Sequence, residues 1–227
     1  MTKQVLRAAA MAATLALGSG ASIAGAVLLS EGFDNVAALS GWANTNASTP
    51  TAVGTTGWFQ GQPASSFDAQ AGAANAYAAS NFAIVNGPGG AGHALARLAT
   101  PTLALSTGTH LTFWTRSADS SVFPDGMNVL VALTGGLTST VLSINPGLAA
   151  GGYPDAGWAF YDVFLPSQGA GATGRFVFSY DILDTGTSGN YVGLDSVTVS
   201  VPEPGQWALL GLGLGLLSLT SAKRRKA

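Results

Sequence analysis

The side chains able to carry acid–base chemistry in this 227-residue chain are few, and carboxylates dominate them. There are nine aspartates but only two glutamates, Glu31 and Glu203. A glycosidase needs two carboxyl groups roughly 5–9.5 Å apart, one as acid and one as nucleophile or base. The aspartates in turn-like or Pro/Gly-rich segments are expected to cap turns: Asp119, Asp125, Asp181 and Asp184. The sequence therefore predicts no catalytic residue, and aspartate-based glycan hydrolysis stays open as an alternative.

The sequence offers few residues for nucleophilic catalysis or for zinc binding. The chain has no cysteine, which excludes a thiol nucleophile and Cys-ligated zinc. A Ser-His-Asp triad would have to use His93 or His110, yet His93 has no nucleophile elbow around it and His110 opens a predicted strand. Neither histidine has a His or Cys partner at metal-ligand spacing. Both are therefore expected to be solvated or structural.

Aromatic side chains could instead stack on sugar rings, because Trp and Tyr offer flat apolar faces with a polar edge. Four are candidate sugar-stacking residues: Trp58, Tyr77, Tyr153 and Trp158. Four others are predicted to belong to the core: Trp42, Phe113, Trp114 and Phe178.

The segments that contain most of these residues are predicted to be β-strands. Alternating apolar and polar residues recur in "HLTFWTR", "MNVLVAL", "STVLSI", "WAFYDVFL", "RFVFSYDI" and "YVGLDSVTVS", each bounded by Gly, Pro, Asn or Asp. Residues 44–92 are rich in Ala, Gly, Asn, Ser and Thr, which predicts long loops joining short strands such as "GWFQG" and "FAIV". This pattern favours an all-β, jelly-roll-like antiparallel β-sandwich.

The N-terminus has the pattern of a secretory signal peptide. Lys3 and Arg7 precede an apolar run, and Ala24-Gly25-Ala26 offers small residues before a cut at Val27. We therefore expect residues 1–26 to be removed and residues 27–201 to form one β-sandwich domain.

The C-terminus combines an extended motif, an apolar span and a basic cluster. Pro202 and Pro204 flank Glu203 and disfavour a helix there. Residues 207–222 are sixteen uncharged residues, about 24 Å as a helix, which is short for a permanent transmembrane anchor. The basic residues of 223–226 would lie on the cytoplasmic side of the membrane.

The predicted domain and the two ends of the chain differ in charge. Only three arginines lie between residues 27 and 203, against all eleven acidic residues of the chain, which gives a net charge of −8. An acidic body with scattered arginines repels a phosphate backbone, so nucleic acid is disfavoured as a partner.

The C-terminal pattern resembles the PEP-CTERM sorting signal over residues 202–227, with Pro202, Glu203 and Pro204 as the sorting and cleavage motif. The resemblance implies processing by an exosortase of Gram-negative bacteria that make exopolysaccharide. It implies export across the inner membrane by the secretion machinery, transient membrane anchoring, and a final place at the cell surface or in the extracellular matrix.

A second resemblance covers most of residues 27–204. "SEGFDNVAALSGW", "ATPTLALSTGTHLTFWTRSA" and "GRFVFSYDI" with "NYVGLDSVTVSVPEP" are similar to the choice-of-anchor J family. That family implies a concanavalin A-like or carbohydrate-binding type of sandwich but no single biochemical activity.

The same resemblance implies a possible structural calcium, the only cofactor expected. Related sandwiches often hold calcium with a glutamate after the first strand and an aspartate in the last, and Glu31 and Asp195 occupy those places, with Asp34 as a local candidate. A hard cation would offset the repulsion between two such carboxylates. The alternative is that Glu31 points to solvent and Asp195 accepts backbone hydrogen bonds.

Together these observations predict an exported, non-catalytic surface or matrix protein associated with biofilm, with exopolysaccharide as a possible ligand. A secreted glycan hydrolase and a protein-binding adhesin that uses a sheet edge are the alternatives.

Overall fold

The structure, a computed structural model, describes residues 26–118 and 122–201, which form two antiparallel sheets packed face to face. The predicted β-sandwich is therefore confirmed. The predicted signal peptide, residues 1–26, lies outside the described residues except for Ala26, which begins the first strand, and the predicted sorting segment with Pro202, Glu203 and Pro204 lies outside them entirely. No helix within the two described ranges has the length and apolarity needed to cross a membrane.

The described residues form twelve strands, six in each sheet. Sheet A contains, in spatial order, β10 (Ala159–Leu165), β7 (Thr109–Ser117), β12 (Tyr191–Val201), β4 (Ala78–Asn81) and β3 (Phe59–Gln60), and β1 (Ala26–Glu31) pairs with the second half of β12. Sheet B contains β2 (Ala43–Asn46), β5 (Ala94–Ala99), β11 (Thr173–Ile182), β8 (Met127–Leu133) and β9 (Thr138–Ile144), and β6 (Leu103–Ala104) pairs with the start of β11.

The chain crosses repeatedly between the sheets. The order β4-β12-β7-β10 in sheet A and β5-β11-β8-β9 in sheet B is the strand order of a jelly roll. It agrees with the jelly-roll-like arrangement expected from the spacing of the strands.

The core lies between the sheets because alternate residues of each strand point inward. Leu111 and Phe113 of β7 face Phe176 and Phe178 of β11, and all four are fully buried. The Phe113 ring contacts Phe178 edge-to-face at 5.2 Å between ring centroids and stacks on Tyr161 at 5.3 Å. Phe113 and Phe178 therefore belong to the core, as predicted.

The region predicted as loops and short strands is more structured than its composition indicates. It contains β2, β3 and β4 and the short 3-10 helices Pro63–Ser65, Phe82–Ile84 and Pro88–Gly90; a further 3-10 helix, Val36–Ala38, precedes it. The "FAIV" segment is helical rather than a strand, because the Asn81 side chain accepts a hydrogen bond from Ala83 N at 3.0 Å and caps a turn there. The "GWFQG" segment does contribute a strand, β3.

The loop between β3 and β4 covers one half of the outer face of sheet A. Phe67 from this loop and Trp158 pack so closely on β12 that a Cβ added at Gly193 would lie 2.7 Å and 2.8 Å from their ring atoms. Together with Tyr77 and Tyr191 they form an aromatic cover, and the Arg116 guanidinium stacks on Phe67 at 4.2 Å from the ring centroid. The cover ends at Trp158, just before β10 begins.

Candidate binding surface

The uncovered half of the outer face of sheet A carries a row of exposed aromatic side chains. Along β10 the residues Phe160, Asp162 and Phe164 are exposed, whereas the residues between them are half-buried. In the antiparallel register, Phe160 lies opposite Trp114 and Phe164 lies opposite His110. We call this surface the aromatic strip: Phe160, Asp162 and Phe164 of β10 with His110, Thr112 and Trp114 of β7.

The rings of the strip form two neighbouring pairs. Trp114 and Phe160 have ring centroids 5.3 Å apart, and His110 and Phe164 have theirs 5.1 Å apart. Phe160 is 54% exposed and Phe164 is 56% exposed. Burying a phenylalanine is normally favourable by about 1.5–3 kcal/mol, so two half-exposed phenylalanine rings on one sheet face, each beside a second ring, indicate an interaction surface.

A polar pair lies between the two aromatic pairs. His110 Nδ1 and Asp162 Oδ1 are 2.9 Å apart, and both side chains are partly exposed. An ionised carboxylate only accepts hydrogen bonds, so the proton in this bond is on Nδ1 of the imidazole. The strip thus combines flat apolar faces with hydrogen-bonding atoms, the combination that suits a sugar ring.

The structure corrects three of the four predicted sugar-stacking positions. Trp58, Tyr77 and Tyr153 are buried, so their rings pack against protein rather than facing a ligand. Tyr153 Oη bonds to Thr115 Oγ1 at 2.6 Å, and Tyr77 Oη lies 3.1 Å from Tyr191 Oη. The loop-like sequence contexts of Tyr77 and Tyr153 suggested exposure, but Tyr153 packs into the main core and Tyr77 into the aromatic cover.

The fourth position, Trp158, and two of the predicted core positions lie at intermediate depth. Trp158 Nε1 donates to Asp68 O at 3.0 Å, and its ring meets Phe67 and Tyr77 edge-on within the aromatic cover. Trp42 is half-buried against the core. The prediction that Trp114 is a core residue is wrong, because Trp114 is half-buried on the outer face beside Phe160.

The first and last strands are neighbours, which is the premise of the predicted calcium site. β1 pairs with β12 so that Glu31 lies opposite Val197, beside a bulge that follows Asp195. Glu31 Oε1 accepts from Phe33 N at 2.8 Å, and Asp195 Oδ2 accepts from Gln70 N at 2.8 Å and Ala71 N at 3.2 Å.

Asp195 is fully buried, and this burial raises the pKa of its carboxyl group, while the amide hydrogen bonds act in the opposite direction. Asp34 is exposed and lies beside Gly72: its Oδ1 is 3.7 Å from the position that a Cβ atom would take on that glycine. Among residues 26–118 and 122–201 there is no group of three or more His, Asp or Glu side chains placed to hold a metal. Calcium at Glu31, Asp34 and Asp195 stays a prediction.

The candidate acid–base residues are separated in the fold. His93 Nε2 pairs with Asp181 Oδ1 at 2.7 Å beside sheet B, whereas His110 pairs with Asp162 on sheet A. Asp125 is buried, and its Oδ1 accepts from Tyr180 Oη at 2.9 Å and from Asn190 N at 2.7 Å. Asp184 Oδ1 accepts from Gly186 N at 2.8 Å, which is the turn-capping role expected of it.

The strip was missed by sequence reasoning although its signal was present. In "WAFYDVFL" both alternating sets of residues contain aromatic rings, so the pattern predicts a strand but does not say which set faces the core. Only the pairing of β10 with β7 shows that Phe160 and Phe164 point outward.

No family model matches this sequence, and no curated protein matches it. Among solved structures, the K1 cleaved adhesin domain of Lys-gingipain from Porphyromonas gingivalis W83 is similar with a TM-score of 0.54 and 22% identity, over 77% of this chain and 98% of that domain. The K3 cleaved adhesin domain of the same protein gives 0.54 and 21% identity, over 77% of this chain and 97% of that domain. At such low identity the likeness establishes the two-sheet fold, and function must be argued from the surface.

Proposed function

We propose that this protein is an exported, non-catalytic binding protein of the cell surface or extracellular matrix, and that its aromatic strip binds glycan. The observation that carries the glycan proposal is the pairing of Phe160 with Trp114 and of Phe164 with His110 on an exposed sheet face. Such a row of rings presents a flat apolar surface on which sugar rings can stack. The adhesin domains that share the fold are consistent with a binding role.

Binding can be tested with single-ring variants. We expect Phe160→Ala and Phe164→Ala each to weaken binding of the full chain to its best ligand on a glycan array by about tenfold, since each removes about 1.4 kcal/mol of contact. Phe82→Ala is the matched control, because Phe82 is also an exposed phenylalanine but lies in a 3-10 helix outside the strip. Equal loss in all three variants would count against the strip as the binding surface.

A protein partner is the second candidate, and the position of β10 favours it. β10 is the last strand of sheet A, so one of its edges is unpaired in the described part of the chain. An unpaired edge can add a strand from another protein. A chain that binds no glycan but captures an extended peptide along β10 would support this alternative.

Export and sorting are proposed from the two ends of the sequence. We expect mass spectrometry of the exported protein to show loss of residues 1–26, and loss of the segment after the Pro202-Glu203-Pro204 region in cells that contain an exosortase. Cells lacking the exosortase are the control and should retain the C-terminal "KRRKA". Recovery of that end from exosortase-positive cells would contradict the sorting proposal.

A further inference from the structure

Within the aromatic strip, the two polar atoms that the His110–Asp162 pair leaves free are acceptors. Because His110 Nδ1 donates to Asp162 Oδ1, the other ring nitrogen, Nε2, carries no proton in the neutral imidazole. Asp162 Oδ2 has no hydrogen-bond partner among the described residues, and an ionised carboxylate oxygen can only accept. A ligand that meets both atoms must supply donors, as sugar hydroxyl groups do.

Charge on the same surface disfavours an acidic ligand. The strip carries a carboxylate, and Arg97 and Arg175 lie on β5 and β11 of sheet B. Arg116 is buried, with its guanidinium over Phe67 and its Nη2 donating to Asp155 O at 3.2 Å. A uronic acid or a sulfated sugar would therefore bring its negative charge next to Asp162 without meeting an arginine of the described chain.

The spacing of the rings favours an extended ligand. Phe160 and Phe164 are four residues apart on one face of β10, which places them about 13 Å apart along the strand. Asp162 lies midway between them on the same face. A single sugar ring can contact one aromatic pair, whereas a linear chain can contact both pairs and the polar pair between them.

We infer that the aromatic strip binds a linear, uncharged glycan, and that the His110–Asp162 pair accepts hydrogen bonds from hydroxyl groups of a sugar seated between Phe160 and Phe164. This inference rests on the proposed glycan-binding function and narrows it to a ligand class. It also makes Asp162 a residue that determines which glycans are bound.

The test is calorimetric titration of the full chain, purified in detergent, with two sets of probes. The neutral probes are β-1,4-linked hexasaccharides of glucose, mannose, xylose and galactose, with the corresponding monosaccharides, and the acidic probes are hexasaccharides of galacturonate and mannuronate. We expect at least one neutral hexasaccharide to bind, its monosaccharide to bind more weakly, and the acidic hexasaccharides to bind more weakly still.

Variants then separate the ligand class from the proposed function. Asp162→Asn should weaken binding of the best neutral hexasaccharide by about tenfold, because a charged acceptor is replaced by a neutral amide that forms weaker hydrogen bonds and presents an N–H group in place of one acceptor oxygen. Asp181→Asn is the matched control, since His93–Asp181 is the same kind of pair beside the other sheet, and it should bind as the unmodified chain does. Melting temperatures of both variants check that they are folded.

Each outcome has one meaning. Tighter binding of acidic than of neutral hexasaccharides overturns the inference, as does unchanged binding by Asp162→Asn. If Phe160→Ala still weakens binding by about tenfold in either case, the proposed glycan-binding function stands. Failure of every oligosaccharide to bind overturns both the inference and the glycan proposal.

Discussion

Replacing Phe113 by alanine is expected to lower the free energy of unfolding by about 3–5 kcal/mol, a large part of the roughly 5–15 kcal/mol typical of a folded domain. Phe113 is fully buried at the centre of β7, stacks on Tyr161 and meets Phe178 across the two sheets. Removing its ring leaves a cavity that the rigid sheets cannot close. Equilibrium unfolding in urea measures the change.

Phe160→Ala is the matched control for that experiment. Phe160 is the same residue type and belongs to the same sheet, but it lies on the outer face and is half exposed. We expect this variant to stay within about 0.5 kcal/mol of the unmodified chain. Equal losses for Phe113→Ala and Phe160→Ala would contradict the assignment of inner and outer faces.

Asp125 is expected to make the fold less stable as the pH rises from about 4 to 7. Burial raises the pKa of the Asp125 carboxyl from 3.8 to about 6, although hydrogen bonds from Asn190 N and Tyr180 Oη act in the opposite direction. The folded state therefore holds this proton more tightly than the unfolded state. The resulting stability is fully present below about pH 4 and is lost as the pH rises through 6.

The full size of this effect is about 3 kcal/mol, because the pKa rises from 3.8 to about 6 and each tenfold difference in proton affinity corresponds to about 1.36 kcal/mol. Asp125→Asn keeps an oxygen that can accept from Tyr180 and Asn190 but cannot titrate. The free energy of unfolding of the unmodified chain minus that of Asp125→Asn should fall by about 2.5 kcal/mol between pH 4 and pH 7, slightly less than the full effect because the unfolded carboxyl is already partly ionised at pH 4. Parallel profiles for the two proteins would show that Asp125 does not titrate in this range.

Neighbouring groups do not obscure this measurement. Tyr180 and Tyr153 lie close to Asp125, and burial raises the pKa of both hydroxyl groups well above ordinary tyrosine values, so they stay neutral from pH 4 to 7. Every other ionisable group is present in both proteins, so its contribution cancels in the difference.

The strands of the second half of the fold could be predicted because their alternation is strong and their boundaries are marked. Segments such as "HLTFWTR" and "RFVFSYDI" lie within β7 and β11, and Phe113 and Phe178 are buried as predicted. Residues 44–92 could not be read in the same way. There, single side chains fix the backbone, as Asn81 does by capping a helical turn in "FAIV".

Most residues of the candidate site could not be predicted from the sequence, again because tertiary contacts decide their environment. Exposure of an aromatic residue depends on what covers it, and the covering segment can be distant in the chain. Tyr77 is in a loop yet buried, because Phe67 and Tyr191 pack around it; Phe160 is in a strand yet exposed, because the aromatic cover ends at Trp158. Local pattern predicts the strand, and only the tertiary arrangement decides which rings face solvent.

The pairing of β12 has a mechanical consequence. β12 is eleven residues long, ends at Val201, and is hydrogen-bonded on one side to β7 and on the other to β4 and β1. A pulling force applied to the chain beyond Val201 acts along this strand, so it loads the hydrogen bonds on both sides together in shear instead of opening them one at a time. A load applied at β7 or β10 would thus reach the chain beyond Val201 through the most extensively paired strand of sheet A.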